Sequence, residues 1–492
     1  MYYPSLELFK ERSRKGNLIP VYRKVIADME TPVSIFKKVD CGQYSFLLES
    51  MEGGEKWGRY SFIGLKPSFI FKSKGRRVEL IRNGASHLKE VDDPLNYLKE
   101  ILSTYQPVET KELPRFYGGV VGFVSYDQVR FFELLPDTVP DDMEFSDNIF
   151  ILPNIVLIYD NFKQDICVVY NAYVDSADKA ESVYHQAIGE IDNVITDLKR
   201  PALRSGRPKA GPKKISIDAN MSREAFSGIV DKAKSYIRKG DIIQAVLSQR
   251  FQCRNHIPPF TIYRALRRIN PSPYLFYLRF DDEILVGSSP EVLVRVEDSR
   301  IELRPIAGTR PRGTSPTEEE ALEQDLLDDP KERAEHIMLV DLGRNDVGRV
   351  AQYGSVCVNE LMTIERYSHV MHIVSNIQGK LKSGKDAFDV FKACFPAGTV
   401  TGAPKIRAME IIEELETTKR GPYAGAVGYF SFSGNMDFCI TIRTLMIKGH
   451  KIYFQVGAGI VADSDAKKEY KETINKAMAM KGALELSIKG IL

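Results

Sequence analysis

Four glutamates fall into two pairs with the same spacing. Glu332 and Glu335 lie in Pro330-Lys331-Glu332-Arg333-Ala334-Glu335-His336-Ile337-Met338-Leu339, and Glu469 and Glu472 repeat the interval near the C-terminus. On a helix, residues three apart share a face. Glu335 also shares its stripe with Met338, Leu339 and Leu342, and an acid on an apolar stripe needs a partner. Carboxylates converging from two helices suit a hard cation such as Mg²⁺, which takes few protein carboxylates and completes its shell with water and substrate oxygens. From spacing alone, solvated salt bridges with Lys331, Arg333, Lys468 and Lys471 are the more ordinary reading of the same pairs. Spacing alone leaves both open.

The stretch between the two pairs carries groups suited to an anion. Arg443 stands in the alternating run Ile440-Thr441-Ile442-Arg443-Thr444, and Val456-Gly457-Ala458-Gly459-Ile460-Val461 offers bare backbone N–H groups just before the second pair. An arginine and exposed amides together fit a carboxylate ligand. His372 is either a titratable group of such a site or a core histidine. Upstream, Arg300-Ile301-Glu302-Leu303-Arg304 alternates as a half-buried strand, Pro305 ends its pairing, and the polar turn that follows has Gly308 to bring backbone close to whatever Thr309 bonds.

These groups need a large scaffold, and 492 residues provide one. The first 165 residues or so are rich in short β-prone runs: Val33–Phe36, Tyr44–Leu48, Tyr60–Ile63, Phe69–Phe71 and Val78–Ile81. Gly118-Gly119-Val120-Val121-Gly122-Phe123 is a strand against which another backbone packs, since no phosphate-loop or dinucleotide fingerprint accompanies its glycines. Helical spacing covers Ala177 to Leu198, and a Pro-, Gly- and Lys/Arg-rich segment then breaks the pattern. The division is an N-terminal β-rich region (1–200), a linker (201–218) and a C-terminal region (219–492), which opens with the N-cap Ser222 on a helix that stops at Gly240. A net charge of +2 gives no reason to expect nucleic acid. The six cysteines form no CxxC pair and stand beside no His cluster, against zinc and against a disulfide framework. The N-terminus lacks an apolar signal core, and the longest apolar run is too short to span a bilayer, so the expectation is a cytoplasmic protein with no membrane partner.

Several long motifs then carry a likeness. Pro305-Ile306-Ala307-Gly308-Thr309-Arg310, Asp341-Leu342-Gly343-Arg344-Asn345-Asp346, Phe395-Pro396-Ala397-Gly398-Thr399-Val400-Thr401-Gly402-Ala403-Pro404-Lys405 and Gly457-Ala458-Gly459-Ile460-Val461-Ala462-Asp463-Ser464 resemble the chorismate-utilising enzymes, most closely the anthranilate synthase component I family. The resemblance implies an α+β fold of two large orthogonally packed β-sheets flanked by helices, with the N-terminal half intertwined with the catalytic half. It also implies Mg²⁺ on Glu335 and Glu472, assisted by Glu332 and Glu469. The same resemblance implies that chorismate is held by Gly308, Thr309, Tyr423, Arg443, Gly457, Ala458 and Gly459. Catalytic roles fall on Glu291, as the acid that protonates the departing ring hydroxyl, on His372 near the ring and pyruvyl group, and on Thr309. Leu47-Leu48-Glu49-Ser50 and Asn270-Pro271-Ser272-Pro273-Tyr274 resemble a tryptophan regulatory site, with Glu49, Ser50, Pro271, Ser272 and Pro273 as its residues.

Two positions separate members of this family. Relatives that add water use a lysine where Gln244 stands, and glutamine cannot act as a base. Aminodeoxychorismate synthases typically have lysine where Ala307 stands. The expected activity is therefore that of an anthranilate synthase large subunit; aminodeoxychorismate synthase component I is the alternative, and a catalytically dead ligand-binding regulator is the third reading. No Gly-x-Cys-x-Gly elbow is present, so ammonia is expected from a separate glutaminase (component II) subunit, in a heterotetramer of two large and two small subunits, with L-tryptophan as inhibitor.

Overall fold

The computed structural model describes residues 1–40, 42–51, 58–108, 110, 112–201, 215–367 and 370–490. Two strands organise it. Tyr60–Lys74 and Asn148–Asp160 pair antiparallel along most of their length, and their register shifts between Pro67 and Phe69, where Pro67 faces Pro153. Neither proline can donate to the ladder, and Lys66 sits at φ +50. The ladder bends there, and each strand passes from one sheet into another. This is the corner that orthogonal packing of two sheets requires.

One sheet continues from the 69–74 and 148–151 halves through Gly119–Val124, Ala426–Ser431, Met436–Ile440, Val292–Glu297, Arg300–Leu303, Val370–Lys380 and Cys357–Arg366. The other continues from the 60–65 and 155–160 halves. On one side lie Asp165–Tyr173 and Leu18–Ile26; on the other follow Tyr44–Glu49, Tyr274–Phe280, Glu283–Ser289, Thr444–Lys448, Lys451–Ile460 and Gln244–Arg254. Both sheets mix N-terminal and C-terminal strands. Period-2 alternation divides the cores: Phe46, Phe62 and Phe276 join Phe123, Phe150 and Phe438 in one cluster, while their neighbours Leu47, Ile63 and Tyr277 face helices 180–199, 259–269 and 466–489 in another. Each fully buried aromatic contributes roughly 1.5–3 kcal/mol from removal of apolar surface.

Sequence and structure differ in several places. Val33–Phe36 is helical, within Pro32–Val39: Thr31 and Ser34 form a capping box and Pro32 sits at the first helical position, so local start signals override β-branched propensity. The polar turn after Pro305 is a second short strand, Ile306–Pro311, which pairs with Val370–Lys380 and bulges at Gly308 (φ +66). Ile440–Thr444 is not one strand. Pairing stops at Ile440 and resumes at Thr444, with Arg443 at φ +52 between them. Of the expected linker, residues 202–214 lie outside the described residues, and Asp218 pairs as an edge strand. The close approach at the 118–122 glycines is real: a β-carbon on Gly122 would stand 1.9 Å from Ile149 O.

Candidate active site

Both carboxylate helices are capped by aspartate. Asp329 accepts from the amides of Lys331 and Glu332 at the start of Pro330–Gly348, and Asp465 accepts from Lys468 at the start of Ala466–Lys489. Arg310, two residues past Gly308, pairs with Asp325 and Asp329 and lies 3.8 Å from Glu332, tying the bulged strand to the first helix. The second helix is held from below by Gln249, which donates to Thr473 at 2.6 Å.

None of the four glutamates pairs with Lys331, Arg333, Lys468 or Lys471 in the ion pairs among the described residues. Gln244 donates to Glu335 at 2.8 Å, and Lys476 pairs with Glu472 at 2.7 Å. Burial raises the pKa of Glu332, and the charges of Glu335 and Asp329 raise it further; burial does the same for Glu469, with Glu472 adding to it. These are carboxylates that a nearby cation would relieve. No three metal-type side chains close into one cluster among the described residues. Hard carboxylate oxygens whose charge is raised in cost by burial and by one another are donors of the kind that suit Mg²⁺.

Glycines measure how tightly the walls converge. A β-carbon on Gly308 would stand 3.2 Å from Glu332 Oε2, on Gly457 2.7 Å from Tyr423 Oη, and on Gly459 2.6 Å from Gln244 Nε2 and 3.8 Å from Glu335 Oε1. Ala458, between the last two, packs into the helix-covered core behind. Lys476 donates to Gly457 O at 3.0 Å. The Arg443 guanidinium makes no hydrogen bond or ion pair among the described residues. Burial lowers its pKa, and the neighbouring Tyr423 and Glu472 act the other way. A desolvated guanidinium without a counter-ion is prepared for an incoming carboxylate.

His372 Nδ1 lies 2.9 Å from Gly308 O and 3.1 Å from Thr309 Oγ1. A carbonyl only accepts, so Nδ1 carries the proton and Nε2 keeps its lone pair. Burial holds the ring's pKa below the ordinary histidine value, leaving it neutral at pH 7. Glu291 immediately precedes strand Val292–Glu297 and is 8% exposed. Its surroundings include Leu303, Pro305, Leu339 and Leu342. This apolar wall raises its pKa to about 8, against the opposing pull of Thr399, the Ile306 amide and Lys476. The carboxyl is a proton donor at neutral pH.

Beneath Tyr423, Arg420 is fully buried, paired with Glu416 at 2.6 Å and donating to Val400 O and Val246 O. Sequence reading missed Gln244 as a partner of Glu335, and Lys476, Thr399 and Arg420 altogether. Lys476 had a signal, since it lies four residues beyond Glu472 on the same helical face.

A second cavity, of about 50 Å³, lies between the two sheets, lined by Leu48, Ser50, Tyr60, Phe62, Pro273, Tyr274, Tyr429 and the polar group Arg115, Arg295 and Asp437. Arg115 Nε is buried without a partner among the described residues. Ser272 is buried beside this cavity, its carbonyl accepting from Met51 N at 3.2 Å, and Pro271 is half-buried in the same loop. The Glu49 carboxylate is engaged elsewhere, bonded to Tyr263 and to both Nε and Nη2 of Arg267 at 3.1 Å. Strand alternation turns it to the helix-covered face, so among the expected regulatory residues it contributes backbone and not charge.

The chorismate binding enzyme family matches residues 45–482. Anthranilate synthase component 1 of Acetivibrio thermocellus is 49% identical over 492 residues, covering 99% of each chain, and that of Aquifex aeolicus is 50% identical over 485 residues, covering 98% of each. This chain belongs to the chorismate-binding enzymes, in their anthranilate synthase component 1 branch. The crystal structure of anthranilate synthase component I from Streptococcus pneumoniae superposes with a TM-score of 0.76 at 37% identity, covering 93% of this chain and 99% of that one. The menaquinone-specific isochorismate synthase of Escherichia coli shares the fold, with a TM-score of 0.70 at 20% identity over 98% of this chain and 99% of that one.

Proposed function

We propose that the chain is the aminase subunit of an anthranilate synthase, converting chorismate and ammonia to anthranilate and pyruvate, inhibited by tryptophan and served by a glutaminase subunit in the cytoplasm. The observation that carries this reading is Glu291, a buried carboxyl kept protonated near neutral pH and facing Lys476, which itself donates to Gly457 O of the glycine-lined cradle. Hydroxide is a poor leaving group. When ammonia adds to the ring carbon, the double bonds shift, and the ring hydroxyl departs as water with the proton of Glu291.

The second step removes the proton from the carbon that gained nitrogen and breaks the ether bond to the enolpyruvyl group, which leaves as pyruvate. Neutral His372 supports the role of base, because its Nδ1–H is committed to Gly308 O and Nε2 is free to accept. Arg443, the Gly457–Gly459 amides, Thr309 and the Tyr423 hydroxyl orient the substrate carboxylates and ring. Glu335 and Glu472, with Glu332 and Glu469 beside them, would hold Mg²⁺, which when bound would supply positive charge for the ring carboxylate.

For the second cavity, aromatic walls and the charged group Arg115, Arg295 and Asp437, with Arg115 Nε unbonded among the described residues, favour an aromatic amino acid, and tryptophan is the expected inhibitor. The test is a tryptophan titration of ammonium-supported turnover. A rate that falls saturably supports the reading; absence of turnover, or turnover indifferent to tryptophan, overturns it.

A further inference from the structure

We propose that Ser288, with Ser289 beside it, is the positioning element that couples the inter-sheet effector cavity to the catalytic acid and the substrate arginine. The proposal rests on the tryptophan reading of that cavity. Ser288 and Ser289 are both fully buried, at the end of strand Glu283–Ser289 and three and two residues before Glu291.

Three groups meet on Ser288. The loop that closes the cavity reaches it from one side: Asn270 Nδ2 donates to Ser288 Oγ at 3.0 Å and to Ser288 O at 3.3 Å, and Ser272 Oγ donates to Ser288 O at 3.3 Å. In return Ser288 Oγ reaches Asn270 O and lies 2.9 Å from Ser272 Oγ. On the other side, Ser288 N donates to the carbonyl of Arg443 at 3.2 Å. Ser289 Oγ donates to Ile440 O at 2.7 Å, and Ile440 N donates to Glu291 O at 3.1 Å. The strand ending at Ile440 also carries Asp437 and Cys439, which line the cavity.

The coupling follows from hydroxyl chemistry. Each serine has one proton to donate. Ser288 serves either Asn270 O or Ser272 Oγ, and in this dry environment any carbonyl left behind is unsatisfied. An effector that displaces the 270–273 loop therefore forces Ser288 to re-pair or to move with it. Movement of Ser288 shifts the Arg443 carbonyl on one side and the Glu291 backbone on the other. Arg443 sits at a left-handed φ of +52, a costly conformation that its surroundings must hold, so the Ser288 contact to its carbonyl is part of what fixes it. Two sites then bias one two-state element, which is the physical requirement for allostery.

The experiment measures the coupling factor, the ratio of chorismate KM at saturating tryptophan to KM without it, in the full-length chain with ammonium as nitrogen donor. The unaltered chain is expected to show a factor of about 5–150. In Ser288→Ala the factor is expected to fall to within about threefold of unity, whatever the basal turnover, while calorimetry still detects tryptophan binding. Should Ser288→Ala fail to fold, Asn270→Ala removes the same contacts from the loop side and carries the same expectation. A coupling factor equal to that of the unaltered chain overturns the proposal. Absence of tryptophan binding by the unaltered chain overturns the regulatory reading itself, and the proposal with it.

Discussion

Replacing Glu291 by glutamine keeps the shape of a buried side chain and removes its proton. Burial moves this carboxyl from 4.5 to about 8. At about 1.4 kcal/mol per pKa unit, ionising it in the folded site costs on the order of 5 kcal/mol more than in water. The folded chain holds a proton that the unfolded chain releases once the pH exceeds 4.5. Wild-type stability therefore falls as pH rises through the window from 4.5 to about 8 and levels off above it. The glutamine variant lacks that slope, so between about pH 6 and pH 8 it gains about 3 kcal/mol relative to the wild type. Catalysis goes the other way. Loss of a general acid lowers kcat by about 10²- to 10⁴-fold, or roughly 3–5 kcal/mol of barrier. Anthranilate fluorescence at a fixed concentration of free ammonia reads the kinetic arm: wild-type turnover falls above about pH 8, and the variant is slow and flat. Denaturation midpoints read the other arm. A variant keeping more than about a tenth of wild-type kcat, or a stability difference that does not change with pH, refutes the reasoning.

Ala307→Lys places an amine beside the cradle at the position that distinguishes aminodeoxychorismate synthases; chromatography is expected to show an aminated product that retains its pyruvyl group, and unchanged anthranilate yield contradicts this. Ser50→Phe fills the inter-sheet cavity and is expected to abolish tryptophan inhibition while turnover persists, read from an inhibition curve; an unaltered curve refutes the placement. Glu335→Ala strands Gln244 and removes a carboxylate from the cation site, with an expected loss of at least about 10–100-fold in turnover and a Mg²⁺ requirement shifted to higher concentration, while tryptophan still binds by calorimetry. Retention of the wild-type Mg²⁺ dependence is the contrary result.

What local chemistry determines was legible in the sequence. The i,i+3 carboxylates, the aspartate-led start of the second helix and the Ser222 cap with its Gly240 stop at φ +83 all appear in the structure. What depends on distant partners was not. Tyr60–Ile63 and Phe69–Phe71 read as separate strands because Lys66 and Pro67 interrupt the pattern, yet they form one strand, since the interruption is where the chain changes sheets. The Glu49 carboxylate faces Arg267, more than two hundred residues away, and strand parity alone shows only that it opposes Ser50. Arg443 reads as a strand residue by alternation, whereas its left-handed backbone and lack of a counter-ion are visible only in three dimensions. The four site glutamates show why spacing left salt bridge and cation site undecided: Lys331, Arg333, Lys468 and Lys471 are not their ion-pair partners among the described residues, and the lysine that does pair with Glu472 is Lys476, one turn further on.

The central claim is that this site adds ammonia to chorismate and then expels pyruvate. It is tested most directly by mixing the purified chain with chorismate, Mg²⁺ and ammonium and measuring anthranilate by fluorescence and pyruvate enzymatically in the same sample. The account predicts both products in equal amounts. Aminated product without pyruvate, or chorismate left unchanged, contradicts it.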